Sequence, residues 1–541
     1  MIMPMRFKLA CRSFALAAAA AAVALPGCRK DSAQERPEQV VIAPSDDAPT
    51  SPETELAPEV VDVATRPADD ATATPELTTP AGEASVEATT GPAATPKVVA
   101  TTRPASEVAE DLESFDFVWQ TVGERYYDPE MRGVDWEAAR QELRPQVEAA
   151  GSRAEARAIM QGLLNRLGES HLVIIPAEGY DALEAVAEAG QTDGATDDNG
   201  PGETGLLVRA TKLDEGYAVV VVDVLDGSPA AAAGVEPGAL IESVDGRSLP
   251  ELLAKAEAGM PDSLRDSPMR TMFMNEAAQQ AVDGGGQSRG TTATLSVDTG
   301  GAEPAEVELD RGEPAGTVTQ FGNLPPVRVR TEVSRVDFGT SEAVYASFSN
   351  FLDPVRVMGT LRDAVRQARD DAEVDGFILD LRGNSGGMVT MGQGVAGLFV
   401  NGKDHTLGTM TQRQMTLRNV IFPQQGFEKP LAILVDESSA SMSEIFAGGM
   451  QDISAAGGAK VRVFGRNTAG AALPAAPARL PNGDGMIFVI ADHVLPGGRR
   501  LEGVGVKPDV EVPLDTAAVE AYRTGTDPVV EAAAEWIASR P

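Results

Sequence analysis

Cysteine and histidine are nearly absent: the 541 residues contain two cysteines, Cys11 and Cys28, and three histidines, His171, His405 and His493. Both cysteines fall within the first thirty positions, so the rest of the chain can carry neither a disulfide framework nor a thiolate metal site, and its stability must come from packing. The histidines are too scattered to suggest an imidazole zinc cluster, and no metal or cofactor is expected. Positive charge is also short, with 45 Lys and Arg against 81 Asp and Glu, a formal net charge of −36. Such a surface repels polyanions and excludes nucleic acid as a partner. Long apolar runs are missing too. The one candidate, Ser13 to Leu25, is short of the ~20 residues that span a bilayer.

That short run has a different meaning at the N-terminus. Arg6, Lys8 and Arg12 precede and enter it, and Leu25-Pro26-Gly27-Cys28 follows it. A basic segment, an apolar segment and a small residue before a cysteine resemble a bacterial lipoprotein signal. Residues 1–27 are therefore expected to be a signal peptide and Cys28 a lipidation site, giving an exported protein held by its lipid on the periplasmic side of the cell envelope. Residues 28–106 are rich in Pro, Ala, Thr, Glu and Asp with almost no aromatics. That composition cannot bury enough apolar surface to offset ordering entropy, and predicts a disordered tether.

Patterned sequence begins near Val108, where Leu112, Phe115, Val118, Val122 and Tyr126 recur at helical spacing. Two more helices, after Asp135 and from Arg153 to Leu167, complete an expected helical subdomain over 107–180. Past an acidic, Gly-rich break come strands at Leu206 to Ala210, Tyr217 to Leu225 and Ala239 to Val244, with a short helix after Ser228. The stretch from Met260 to Gln287 looks like an insertion before closing strands at Thr292 to Val297 and Ala305 to Leu309. Over 325–515, apolar strands alternate with helices, the pattern of an α/β layer with both sheet faces covered. A helical tail is expected over 516–541.

Two segments carry chemistry. Asp380-Leu381-Arg382-Gly383-Asn384-Ser385-Gly386-Gly387 is a strand running into a turn where glycines let backbone N–H groups approach a ligand. By itself such a turn usually only reverses the chain. Asp436 to Gly448 delivers Ser438, Ser439, Ser441 and Ser443 onto the first turn of a helix, where unpaired N–H groups and the helix dipole favour a developing oxyanion. Serine is also a common N-cap. Four serines in this short run exceed what one cap requires.

In this order the two segments resemble the tail-specific, or C-terminal processing, serine peptidases, over roughly residues 108–515. The resemblance implies an α/β core related to the crotonase fold, a helical subdomain before it, and an inserted β-rich PDZ-like domain over 204–312. It implies Ser441 as nucleophile, with oxyanion donors from the backbone of Met442 and of Gly386 or Gly387. Members that use a lysine base carry it where this chain has Ala471. The Tricorn-like branch instead takes a Ser-His pair from before the insert and a Glu from a late Glu-Gly turn. Ser170-His171 and Glu502-Gly503 match those positions, so the resemblance implies His171 as base, oriented by Ser170 and Glu502. Glu502 is expected to move the imidazole pKa upward from its ordinary ~6.5. A lone histidine is more often structural, and only its place in the motif singles His171 out.

The implied substrate is an extended polypeptide. Its C-terminal carboxylate would be captured by the Gly205-Leu206-Leu207-Val208 loop through strand addition. Two alternatives stand beside this reading: an inactive binding protein on the same fold, and a Ser-Lys dyad using Lys460 or Lys507.

Overall fold

The computed structural model of the chain describes residues 103–177, 200–213, 216–260, 262–319, 327–339, 341–402, 404–424 and 426–540. The expected signal peptide, Cys28 and nearly all of the tether lie outside the described residues.

Among the described residues three helices come first: α1 (Ala105–Arg125), α2 (Trp136–Ala149) and α3 (Arg153–Asn165). Asp135 caps α2 through Ala138 N–H and Ser152 caps α3 through Glu155 N–H, each satisfying a donor that the helix start leaves open. Phe115, Val118 and Val122 form the buried stripe of α1. Trp119 and Trp136 lock α1 to α2, each indole N–H donating to the other's backbone carbonyl at 2.9 and 3.0 Å. A short strand follows, β1 (Val173–Ile175).

The next unit is an antiparallel sheet of β2 (Leu206–Leu213), β3 (Gly216–Val224), β4 (Leu240–Val244), β6 (Thr292–Asp298) and β7 (Ala305–Asp310), with β5 (Arg247–Ser248) beside β4. Helices α4 (Pro229–Ala232), α5 (Leu249–Ala258), α6 (Asp262–Arg265) and α7 (Met269–Val282) belong to it. The stretch expected to be an insertion therefore supplies α7. Its buried Met274, Ala278 and Val282 pack in the same cluster as Leu206 and Val208 of β2, so it is part of this unit's core.

A ribbon of β8 (Thr317–Thr319) and β9 (Val327–Val329) leads into the largest sheet, ordered β10 (Thr331–Phe338), β11 (Ser341–Phe348), β12 (Val374–Asp380), β15 (Leu431–Val435), β16 (Val461–Gly465), β20 (Val510–Glu511). Only β10 runs antiparallel to its neighbour. Helices α8 (Arg356–Asp370), α9 (Val389–Phe399) and α10 (Met442–Ala455) cover one face. Past α11 (Thr516–Arg523), α12 (Pro528–Ala538) covers the other, with Val529, Ala533 and Ile537 against Ile378, Ala432 and Leu434. The expected tail is thus a structural layer. Burying an aliphatic side chain such as Ile537 contributes about 1.5–3 kcal/mol. With both faces covered, β15 is buried along its whole length, and its apolar run Leu431 to Val435 needs no polar alternation.

Two small sheets complete the fold. β13 (Thr406–Gln412) lies between β14 (Thr416–Val420) and β19 (Ala491–Val494), and β18 (Gly485–Val489) lies between β17 (Ala475–Arg479) and β1. The pairing of β1 with β18 is antiparallel, Val173 opposite Ile487. It ties the N-terminal helices to the C-terminal third of the chain and sets the residues before β1 beside the core.

Candidate active site

Parallel pairing of β12 with β15, Asp380 opposite Leu434, brings the Gly-rich turn and the serine-rich turn to the same sheet edge. This is the carboxyl edge where α/β sheets bind ligands. Asp436 organises the junction. Its carboxylate accepts from Gly383 N–H at 2.8 Å, Ser438 N–H at 3.0 Å and Arg209 Nε at 2.6 Å. Burial pushes this carboxyl up, but Arg209 and Arg466 outweigh that and hold it at about 2.

Three of the four serines have structural duties. Ser438 Oγ accepts from Asn275 at 3.0 Å, Ser439 Oγ donates to Leu381 O at 2.7 Å, and Ser443 Oγ donates to Asn384 O and Oδ1 at 2.9 and 2.8 Å. Among the described residues no such acceptor ties down the hydroxyl of Ser441. Ser441 stands at the start of α10 with φ 55° and ψ −117°, a backbone shape that a residue with a Cβ adopts only under constraint. The constraint comes from its N–H, which donates to Ala471 O at 2.8 Å and to Glu444 Oε2 at 3.1 Å. Glu444 is wholly buried and also accepts from Thr468 Oγ, Gly470 N–H and Ala471 N–H at 2.5, 2.8 and 2.9 Å. Burial raises its carboxyl to about 7 against these donors, with a further push from Glu502.

The glycine pair divides its roles. A Cβ on Gly386, at φ +97°, would lie 2.7 Å from Ser441 Cβ and 2.8 Å from Met442 N, so only glycine lets the two turns touch. Its N–H donates to Asn384 Oδ1 at 2.9 Å and is engaged, which removes Gly386 as the expected oxyanion donor. The N–H groups of Gly387 and Met442 have no hydrogen-bond partner among the described residues, and Met442 opens a helix, where such donors are intrinsic.

Ser170, His171 and Glu502 form a bonded chain. His171 Nδ1 lies 2.7 Å from Ser170 Oγ; Ser170 Oγ donates to Glu502 Oε2 at 2.9 Å and its N–H to Glu502 Oε1 at 2.7 Å. Glu502 Oε2 also accepts from Ala472 N–H at 3.0 Å. The peptide unit joining Ala471 to Ala472 thus receives Ser441 N–H on one side and gives its own N–H to Glu502 on the other. Electrostatics differ from the sequence expectation. Burial lowers His171 to about 4 and raises Glu502 to about 7. The upward shift expected for the imidazole is reversed because Glu502 reaches it only through Ser170 while desolvation acts on the ring directly.

The loop expected to capture a carboxylate meets a different situation. Gly205 has φ +83° against Ser228, and β2 is an outer strand of its sheet. Its outward groups are already bonded: Val208 N–H donates to Gln279 Oε1 at 3.1 Å, Gln279 Nε2 donates to Leu206 O at 2.8 Å, and Ala210 N–H donates to Asn275 Oδ1 at 2.9 Å. Side-chain amides of α7 imitate the peptide groups of an added strand, so strand addition at Leu206, Leu207 and Val208 requires displacing them.

The lysine alternative finds no support in position. Ala471, at the lysine place, is fully buried. Lys460 is exposed and precedes β16 at the opposite sheet end from Ser441, with β16 five residues long, or roughly 16 Å of strand. Lys507 is exposed as well.

Residues 344–512 match the model of peptidase family S41, and they contain both turns of the site. The chain carries a peptidase family S41 domain. It is a serine peptidase, and the helices α1 to α3 separately match the Tricorn protease C1 domain over residues 107–165. The peptidase is 24% identical to the chloroplastic carboxyl-terminal-processing peptidase 3 of Arabidopsis thaliana, over 75% of this chain and 70% of that protein. It is 26% identical to the carboxyl-terminal-processing protease of Synechocystis, over 73% of this chain and 80% of that one. In fold it is similar to mature CPAF, with a TM-score of 0.51 at 12% identity, covering 80% of this chain and 97% of that one.

Glu444 and Asn384 lie within the two segments singled out from the sequence, which assigned neither of them a role. Glu444 was visible as the fourth member of a capping-box spacing from Ser441. Asn384 had no local signal, because its work is to join the two turns through Gly386, Ala440 and Ser443.

Proposed function

We propose that this peptidase cleaves extended or C-terminal segments of proteins outside the cytoplasm, with Ser441 as nucleophile and His171 as base. The observation that carries the reading is the chain His171, Ser170, Glu502, attached to the same peptide unit that receives Ser441 N–H. In this reading His171 Nδ1–H donates to Ser170 Oγ, whose proton points to Glu502, leaving Nε2 with a lone pair. Nε2 takes the Ser441 hydroxyl proton as Oγ bonds the scissile carbonyl carbon. The oxyanion that forms is received by the N–H groups of Met442 and Gly387. Collapse breaks the C–N bond, the proton passes from Nε2 to the departing amine, and water hydrolyses the acyl-enzyme by the same base.

The parallel sheet and the inserted antiparallel unit support a crotonase-like core with a PDZ-like domain, and the names of the curated relatives favour C-terminal segments as substrates. The basic and apolar N-terminus ending in Cys28 supports export and lipid anchoring. A fluorophosphonate probe, which modifies only activated serines, tests the assignment. Wild-type protein should be labelled at Ser441 and His171→Ala should label orders of magnitude more slowly. Undiminished labelling of His171→Ala sinks the Ser-His reading.

A further inference from the structure

Glu169, the residue before Ser170, has no part in the relay, yet it is almost wholly enclosed, with 1% of its side chain exposed. Four donors converge on it. The Tyr127 hydroxyl donates at 2.7 Å, Arg132 Nη1 at 3.0 Å and Arg500 Nη2 at 2.6 Å, and the Tyr126 hydroxyl bonds its second oxygen. Arg500 is held in turn by Asp492 Oδ1 at 2.7 Å through Nε and by the Tyr127 hydroxyl at 3.2 Å.

A buried ion pair is a weak source of stability, because desolvation offsets the attraction. Its more specific consequence is geometric. Glu169 adjoins Ser170 and Arg500 lies two residues before Glu502, so the pair ties together the same two segments that the relay joins. His171 follows with φ 57°, a conformation that persists only where the chain is held on both sides. On the C-terminal side β1 is pinned to β18; on the N-terminal side the anchor is Glu169.

We propose that the Glu169–Arg500 pair, locked by the hydroxyls of Tyr126 and Tyr127, is a positioning clamp that sets Ser170 and His171 against Glu502 and thereby fixes the imidazole's tautomer and aim. This rests on the reading of His171 as base. None of the clamp residues needs to touch substrate. Around the clamp the charged and titratable groups are Arg132, Arg500, Asp492, Tyr126 and Tyr127. The negative charge of Glu169 also pushes Glu502 upward, so its removal lowers the pH at which the relay gains its anionic end.

The test uses the full-length peptidase, with fluorophosphonate labelling rate and hydrolysis of fluorescently labelled casein as readouts, normalised to folded protein. Glu169→Gln should lower both rates roughly 10–100-fold, the range for groups that orient an active residue, with KM little changed. It should also move the acid limb to lower pH. Arg500→Lys keeps the charge but not the forked geometry, and should lose less than Arg500→Met. If Glu169→Gln does not fold, Tyr127→Phe, which removes one hydroxyl donor, takes its place with a loss of several-fold. A rate per folded molecule and an acid limb identical to wild type in these variants overturn the clamp. His171→Ala is measured beside them: slow His171→Ala with unaffected clamp variants overturns the clamp alone, whereas wild-type rates in His171→Ala overturn the base assignment on which it rests.

Discussion

The pH dependence of this peptidase should report Glu502 and not its histidine. Burial keeps the His171 imidazole neutral down to about 4, well below its ordinary 6.5, so the base is available throughout the neutral range. Glu502 is raised by burial from 4.5 to about 7, so the anionic end of the relay forms only as pH passes neutrality. kcat/KM should therefore rise with a single-proton limb near pH 7. In Glu502→Gln that limb should flatten, leaving a lower plateau that falls only toward the histidine value. Stability runs the opposite way. A raised carboxyl contributes stability below its unfolded value of 4.5 that is lost as pH climbs through about 7. A shift of this size corresponds to on the order of 3 kcal/mol, less the solvent screening that a partly exposed group retains. Glu444, also near 7, adds a loss of the same sign, so Glu502→Gln should reduce the slope of stability against pH between these limits without abolishing it. His171 acts in the opposite direction: its lowered pKa contributes stability above 6.5 that is lost as pH falls toward about 4. Chemical denaturation at stepped pH together with rate profiles would measure both. An acid limb near 6.5 that survives Glu502→Gln and vanishes with His171→Ala would show that the histidine, and not Glu502, sets the pH dependence.

Ser441→Ala should abolish hydrolysis and labelling while keeping the wild-type circular dichroism spectrum; turnover near wild type would move the nucleophile elsewhere. Gly386→Ala places a methyl 2.7 Å from Ser441 Cβ at φ +97°, and should cut kcat by about 10²-fold or more through the displaced oxyanion turn; a kcat within a few-fold of wild type would show that the turns tolerate separation. Asn384→Ala should cost roughly 1–3 kcal/mol in denaturant unfolding, since the Gly386 N–H and Ser443 hydroxyl lose a buried acceptor. Cys28→Ala should shift the protein from the detergent phase to the aqueous phase, and unchanged partitioning would dismiss the lipid anchor.

Sequence alone determined the pieces whose physics is local. Helical periodicity from Leu112 to Tyr126, the all-apolar run of β15 and the serine run that opens α10 each express a preference over a few neighbouring residues, and each stands as a helix or strand in the structure. The two turns of the site were legible for the same reason. Tertiary structure alone decided what depends on distant segments. The resemblance grouped Ser170 with Glu502, 332 positions away, but the contact itself, Oγ to Oε2 at 2.9 Å, exists only because the pairing of β1 with β18 sets the residues before β1 beside the core. No local pattern reveals that α12 covers the second face of the sheet, or that Gln279 and Asn275 occupy the edge of β2. The pKa reversal at His171 belongs here too, because a titration follows the dielectric around a group, and burial is a property of the assembled fold and not of the motif that contains the residue.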